Sequence, residues 1–405
     1  MATKTTNTAH PAPVPVGWNA TACDAWATGQ QLAAVQATLA ALNQQTTKDP
    51  RLSLQAAYYL FLMKDIGSAA QILEHERQRS PGHREVLLNL GVTYRCLGKY
   101  AAAVELFEQV LSQDASHYVA LDGLCICQHL LGNDDAASAA GTRALQLKDH
   151  AGQTAPPQWQ APTAHPIALA GQPGKRNVIS FSLWGNGPAY LRGALRNVLQ
   201  AHDVYPGWVL QFHVDPSVPA DFLQLIQSLG AEVVAHPAHQ PLRTKLCWRF
   251  AAANDPTVGR FLVRDADSVI STREALAVQA WCDSDRHFHV MRDWWSHTDL
   301  MLAGMWGGVA GVLPNLAPML LNYRSPSAET PNIDQWFLRD QVWGMVRQSC
   351  LVHDRCFRPA GAQPFPGNIP LGSRHVGQDE FAAHGPWQAR WLAPWIAAHP
   401  CLRAP

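Results

Sequence analysis

The sequence predicts an α+α/β chain, in which an all-α array of helical repeats precedes an α/β domain built on an open, mostly parallel sheet. Three observations carry this expectation. Glycines and apolar residues recur at a 34-residue spacing before residue 150, Pro and Gly crowd residues 151–174, and strand-length apolar runs alternate with helical ones thereafter. Trp usage changes at the same place, since only Trp18 and Trp26 of the 15 Trp precede residue 150. A chain of 405 residues suits two or three domains at ~100–200 residues each. The expected division is a disordered segment 1–17, repeats over 18–150, a linker at 151–174 and the α/β domain at 175–405.

In the first part, Leu87-x-x-Leu90-Gly91-x-x-Tyr94 is followed by Gly98-Lys99-Tyr100, Ala103, Phe107 and Val110. This spacing follows the helix–turn–helix template of a tetratricopeptide repeat. Adding 34 to these positions gives Leu121, Leu124, Cys125, Gln128, Gly132, Ala137, Gly141 and Ala144, which keeps the small residues and the turn glycine, because 132 − 98 = 34. Pro81 stands 34 residues before Ala115, where such repeats carry proline. Residues 18–49 read as one further, degenerate helical pair. Small residues let the two helices of a repeat pack closely, and large apolar ones bury the seam between repeats. An ordinary helical bundle is the alternative.

The segment 151–174, AGQTAPPQWQAPTAHPIALAGQPG, is punctuated too often by Pro and Gly for a helix or strand to persist. Beyond it the period changes. Asn177–Leu183 is a strand run, Leu191, Ala194, Leu195 and Val198 recur at helical spacing, and Trp208–Val214 is a second strand. A helix over 219–229 and a third strand at Glu232–Ala235 complete the start of a parallel sheet. Arg260–Arg264 and His287–Met291 are further strands. Ligands of such sheets bind at the carboxyl ends of the strands.

Charge and cysteine narrow the function. Lys+Arg and Asp+Glu are both 31, so no global field recruits nucleic acid or an anionic membrane. With 47% hydrophobic and 15% charged residues the chain is globular. Nine scattered Cys without paired spacing speak against a disulfide framework or a structural zinc site; Cys125 and Cys127 read as small buried residues on a helix. There is no apolar stretch near ~20 residues. The opening MATKTTNTAHPAPVPVG lacks the apolar core of a signal peptide, so the expected compartment is the cytoplasm.

The strand run at Arg260–Arg264 leads directly into Asp265-Ala266-Asp267-Ser268. Carboxylates spaced i, i+2 just past a strand end can both turn toward a hard divalent cation, Mg²⁺ or Mn²⁺, with a diphosphate completing the shell. A solvated turn is the plain alternative. The preceding apolar strand and the helix start at Ser271-Thr272-Arg273-Glu274 place the pair at the sheet edge where ligands bind.

Several further segments extend this pattern in order: Cys247–Phe250, Arg264–Ser268, Arg273–Val278, Phe288–Asp293, Gly304–Gly307, Asp334–Leu338 and His353–Asp354. Together they make residues 177–378 resemble a GT-A glycosyltransferase, a Rossmann-like fold, and in particular bacterial glycosyltransferase-like proteins. The resemblance covers about half the chain, and tetratricopeptide repeats are a familiar fusion partner of such enzymes. It is not to the nucleocytoplasmic GlcNAc transferase, whose catalytic fold is GT-B.

The resemblance implies that Asp265 and Asp267 hold the metal, Mn²⁺ or Mg²⁺, which neutralises the diphosphate leaving group. A late His often completes the shell in such enzymes; His353 is the expected ligand and His375 the reserve. Asp334-Gln335 resembles the pair beneath the reacting sugar in glycogenin-like enzymes, although Asp334 could equally cap the helix that Leu338, Val342, Met345 and Val346 mark out. Asp293, Asp334 and Asp354 stay open as the catalytic carboxylate. Arg249 and Arg264 suit phosphate oxygens or structural ion pairs, and Trp306 in Gly304-Met305-Trp306-Gly307 offers a flat face for a sugar or base, or fills the core. The expected function is transfer of sugar from a nucleotide-diphosphate donor, a UDP-sugar above all, to a protein or peptide acceptor recruited by the repeats. The alternatives are a scaffold with a degenerate transferase domain and a nucleotidyltransferase. Against the latter, Gly185-Asn186-Gly187-Pro188 carries no Lys or Arg.

Overall fold

The computed structural model describes residues 15–45, 49–152, 159–324, 332–367 and 374–403. Most of the expected disordered segment 1–17, namely residues 1–14, therefore lies outside the described residues, as does 153–158 of the expected linker. The chain divides into two units, Met1–Leu147 and Lys148–Pro405.

The first unit is built of helix pairs: α1 (Ala20–Ala27) with α2 (Gln31–Gln44), α3 (Arg51–Leu62) with α4 (Ile66–Arg79), and α5 (Arg84–Cys96) with α6 (Tyr100–Gln113). A last pair follows, α7 (Tyr118–Leu130) and α8 (Asp134–Ala151), whose end runs past the boundary. Each turn within a pair carries one residue of positive φ: Gly29 at +79°, Lys64 at +68°, Gly98 at +73° and Gly132 at +82°. Their separations are 64 − 29 = 35, 98 − 64 = 34 and 132 − 98 = 34 residues. After each, a backbone N–H closes the helix end, Gln30 N to Ala25 O at 2.8 Å, Asp65 N to Leu60 O at 2.9 Å, Lys99 N to Tyr94 O at 2.9 Å and Asn133 N to Gln128 O at 2.8 Å. This is the left-handed helix cap that glycine adopts without strain. The second repeat, where Lys64 stands in the glycine's place, hides this signal from a search for turn glycines.

Leu87, Leu90, Leu106, Phe107 and Val110 are buried between the pairs, and Cys125 and Cys127 are fully buried on α7. Phe107 is wedged between two glycines. A Cβ on Gly123 would lie 2.4 Å from its ring and one on Gly91 2.8 Å from it, so the ring cannot give way on either side. Gly123→Ala gains ~1 kcal/mol of helix propensity against an overpacking cost of ~1–3 kcal/mol. The expected net result is an earlier unfolding transition of this unit, measured by urea denaturation.

In the second unit eight strands among the described residues form one sheet: β1 (Arg176–Leu183), β2 (Trp208–Val214), β3 (Glu232–Ala235), β4 (Val258–Arg264), β5 (Phe288–Arg292), β6 (Trp306–Val309), β7 (Cys350–Asp354) and β8 (Ala362–Gln363). Their order is β3-β2-β1-β4-β6-β5-β7-β8. All neighbours are parallel except β6, which pairs antiparallel with both β4 and β5. Val178–Leu183 of β1 is buried throughout, as a strand covered on both faces must be. The strand order reverses at β1, where the chain has laid β2 and β3 on one side and returns to lay β4 on the other. A crevice opens outside the carboxyl ends of strands at such a switch point.

The segment expected as an unstructured linker is partly ordered. Pro166–Ala170 forms one helical turn, started by proline at its first position and by the His165 ring accepting from Ile167 N at 3.3 Å. Its Ala170 carbonyl lies so close to Gly259 of β4 that a Cβ there would stand 2.3 Å from the oxygen. Proline here starts a turn that packs on the sheet.

Candidate active site

The loop after β4 is held from two sides. Asn197, buried on the helix Pro188–Val204, donates to the Ser268 carbonyl at 2.8 Å and accepts from Ile270 N at 2.9 Å. On the same helix Gly193 allows close contact, since a Cβ there would stand 2.1 Å from the Ala266 oxygen. Ser271 then caps the helix Thr272–Cys282. Asp265 and Asp267 are thereby fixed, half-buried, at the carboxyl end of β4.

They form one wall of a cleft of about 440 Å³ at the switch point. Ser182, Leu183 and Trp184 at the end of β1, the strand paired with β4, line it too, as do Tyr190, Leu242 and Leu246. A smaller chamber of about 270 Å³ shares Leu246, Arg249, Asp265 and Gly377 with the cleft and adds His297, Gly304, Asp334 and Gln335. Gly304 is required there, because any Cβ would stand 2.0 Å from the Asp265 carboxylate.

Arg249 ties the two spaces together. Its side chain is 5% exposed; Nη1 donates to Asp265 Oδ1 and, at 3.0 Å, to the Arg264 carbonyl, while Nη2 donates to Asp334 Oδ2 at 3.1 Å. Ser182 positions it by accepting from its backbone N–H at 3.1 Å. Burial by itself would lower the Arg249 pKa, but the charges of Asp265 and Asp334 more than offset this and hold it protonated. Asp334 is buried, which raises its carboxyl to about 6, with Arg249 opposing the shift and Asp265 adding to it. Asp267 is raised further, to about 7, by burial first and then by the charges of Asp265 and Asp379.

Asp379 belongs to the same cleft although the sequence alone did not single it out. It bridges to Ser268 as an isolated β-pair and caps the helix Glu380–Trp391 through Oδ1, which accepts from Phe381 N at 3.0 Å and Ala382 N at 2.9 Å. No spacing from the Asp265/Asp267 pair marks it; the chain must turn back over a hundred residues to deliver it. His297 was missed for a similar reason, being one of 18 His in a segment without periodicity.

Five expected site residues are placed elsewhere or consumed by structure. His353 lies on β7, three strands from β4 and so roughly 14 Å across the sheet at ~4.8 Å per strand. Its Nδ1 meets His289 Nε2 at 2.8 Å, and Trp281 stacks on His289; this buried pair is core and is not gathered with Asp265 and Asp267. Asp293 is fully buried among donors, bonded by Arg273 at 2.9 and 3.0 Å, paired with Arg355 at 3.0 Å and bonded by Val376 N at 2.9 Å. Asp354 accepts from Arg292 at 2.6 Å and from the N–H groups of Cys356 and Phe357. Arg264 donates to buried Glu274 at 3.1 Å, beside the Tyr205 hydroxyl. Trp306 is fully buried edge-on to Phe250 and Phe261. All five sit on or beside strands, where an apolar run looks the same whether its end faces a ligand or the core. The reserve residue His375 stacks on Trp294 at 4.8 Å, two residues from Gly377 of the cleft. Asp334 is not the helix cap; it is the second residue of Ile333–Phe337, behind Asn332.

The His289–His353 pair makes a pH-dependent contribution to stability. Burial lowers His353 to about 4 and His289 well below its ordinary value, the latter also through His353 and Arg264. The unfolded chain takes up these protons near ~6.5, the folded one only lower. The stability this pair contributes is therefore complete above pH ~6.5 and is lost as pH drops toward about 4, while Asp334 and Asp267, raised to about 6 and about 7, contribute with the opposite sign. Replacing both by the apolar pair His289→Phe and His353→Leu is expected to flatten this part of a urea-denaturation pH series.

No family model matches the chain, and neither does any curated protein. Solved structures similar to part of it include MamA and two proteins described as tetratricopeptide repeat proteins. MamA 41-end from Desulfovibrio magneticus RS-1 is 15% identical over 33% of this chain and 78% of that one, with a TM-score of 0.30. A tetratricopeptide repeat protein from Parabacteroides merdae is 16% identical over 32% and 51%, with a TM-score of 0.30. YrrB, described as a TPR protein with an unusual peptide-binding site, is 16% identical over 31% and 64%, with a TM-score of 0.29. The repeats are shown by the recurring helix pairs and turns themselves. Among the described residues, no three His, Cys, Asp or Glu side chains form a group that could hold a metal ion.

Proposed function

We propose that the second unit is a metal-dependent glycosyltransferase of GT-A type, which uses a nucleotide-diphosphate sugar, with UDP the favoured base carrier, and that the repeats recruit a protein or peptide acceptor. The observation that carries this is the Asp265/Asp267 pair at the switch-point cleft, with Arg249 joining it to a second, polar chamber. Leu183, Trp184, Tyr190 and Leu242 suit a planar base and ribose, while the chamber suits a hydroxyl-rich ring. A nucleotide sugar has these two ends with a diphosphate between them. Repeat arrays present extended surfaces suited to peptides.

Asp265, Asp267 and Asp379 line the cleft, and the charges of Asp265 and Asp379 oppose the ionisation of Asp267. That excess of acceptors fits a hard divalent cation, which Asp265 and Asp267 would hold, with diphosphate oxygens completing its shell. When bound, the ion supplies charge neutralisation to the leaving diphosphate. Arg249 orients Asp265 and Asp334 at once, so the metal carboxylate and the chamber carboxylate keep a fixed separation. Asp334 is the one of the three candidate carboxylates that lines the chamber; raised to about 6, it is suited to accept a proton from an acceptor hydroxyl near neutral pH.

A nucleotidyltransferase would use the same carboxylates but release pyrophosphate. Incubating the full chain with Mn²⁺ and UDP-, GDP- or dTDP-sugars should release nucleoside diphosphate slowly by hydrolysis, without nucleoside monophosphate. Pyrophosphate release from nucleoside triphosphates instead would make the enzyme a nucleotidyltransferase.

A further inference from the structure

The chamber has a polar residue that nothing above employs. His297 is 7% exposed and lines the chamber with Arg249, Asp334 and Gln335. Its Nδ1 accepts the backbone N–H of Asp293 at 3.0 Å, so that nitrogen carries no proton. Burial first, then His375, Arg292 and Arg355, lowers its pKa well below the ordinary value. A neutral imidazole with Nδ1 committed as acceptor must carry its hydrogen on Nε2. Nε2 makes no hydrogen bond to any described residue; the His375 ring stands edge-to-face to the imidazole at 5.0 Å, and Nε2–H is the ring's one unspent donor.

We infer that His297 is a specificity-determining residue of the chamber, donating through Nε2–H to an oxygen of a neutral, hydroxyl-rich ring, the sugar of the donor. The chemistry of the walls selects this class of ligand. Asp265 and Asp334 repel an anionic group, and although Leu246, Leu302, Ala303 and Met305 also line the chamber, an apolar ring would leave His297, Arg249 and Asp334 without the bonds that water gives them. Donors (the His297 Nε2–H and Arg249) stand with acceptors (the Asp334 carboxylate) around Gln335, whose amide offers both. A ring bearing several hydroxyls, each donor and acceptor, satisfies such a set. A site built to bond a hydroxyl also discriminates strongly against ligands lacking it, because its own polar groups are then left unpaired. Asp293, on the other side of the imidazole, sets the tautomer through its backbone, and its carboxylate is held by Arg273 and Arg355. This inference rests on the glycosyltransferase reading, and its test separates the two.

Asparagine can reproduce the Nδ1 acceptor and glutamine the Nε2 donor, so the two roles of His297 can be removed one at a time. Calorimetry on the full chain with Mn²⁺ would compare UDP-glucose, GDP-mannose and dTDP-glucose with bare UDP, GDP and dTDP. His297→Asn keeps the bond to Asp293 N–H and is expected to lower affinity for the preferred nucleotide sugar by roughly five- to tenfold, leaving the bare nucleoside diphosphate unchanged. His297→Gln should retain the preference for the sugar-bearing ligand and lower the melting temperature. If His297→Asn leaves the preference intact, or weakens both ligands equally, His297 is a backbone cap only and the inference fails. If the unaltered protein binds no nucleoside diphosphate, the glycosyltransferase reading fails first and takes the inference with it.

Discussion

Asp265→Asn combined with Asp267→Asn is expected to abolish Mn²⁺-dependent binding of a nucleoside diphosphate, a fall of roughly 100-fold or more, since even outer-shell partners of a metal are worth ~10–100-fold. Asp267→Asn alone is expected not to lower the melting temperature, whereas Asp265→Asn takes a charge partner from buried Arg249 and is expected to lower it. Burial and the charges of Asp265 and Asp379 already oppose ionisation of Asp267, so an amide there removes an unfavourable charge from the folded state. Calorimetry of the double variant beside thermal melts of the two single variants checks both halves. Affinity unchanged in a folded variant would take the metal role from this pair. Asp379→Asn, which keeps the helix-capping oxygen, is expected to weaken binding less, because the other two carboxylates remain.

Arg292→Leu is expected to destabilise the second unit by ~3–5 kcal/mol, the usual cost of leaving one member of a buried ion pair without its partner. Asp354 is buried and accepts from Arg292 at 2.6 Å, and Arg292 also donates to the Leu300 carbonyl at 3.0 Å. Leucine cannot replace either bond. Replacing both partners together, Arg292→Met with Asp354→Leu, should recover part of the loss, since no charge is then stranded. Denaturant unfolding gives the size of each effect. If Arg292→Leu instead left stability intact and removed nucleotide binding, Asp354 would return as a candidate for the chemistry.

Much of this organisation is legible in the sequence because it depends on local patterns. Trp208–Val214 and Glu232–Ala235 are strands at the expected bounds, and Gly98 and Gly132 mark turns 34 residues apart. The Asp265/Asp267 pair is legible for the same reason: a strand end followed by two acids is a local signal. What is not local is less visible. Asp293 and Asp354 also follow apolar strands, yet Arg273, Arg355 and Arg292 arrive from other elements to neutralise them. His353 sits in a chemically suggestive His-Asp pair, but the sheet order sets two strands between β4 and β7. Conversely, Asp379 and His297 reach the site only through the tertiary path of the chain. Pro166 shows the same limit on a smaller scale, since proline both ends helices and starts them.

Equilibrium binding of UDP, GDP and dTDP to the full chain with and without Mn²⁺ decides whether the second unit works as a glycosyltransferase. A metal-dependent glycosyltransferase is expected to bind one nucleoside diphosphate at a single saturable site only when the ion is present. At 100-fold saturation this would stabilise the native state by ~2.7 kcal/mol, and the Asp265→Asn, Asp267→Asn variant should lose the effect. No binding of any of the three nucleotides, or binding indifferent to the cation and to these two carboxylates, would contradict it.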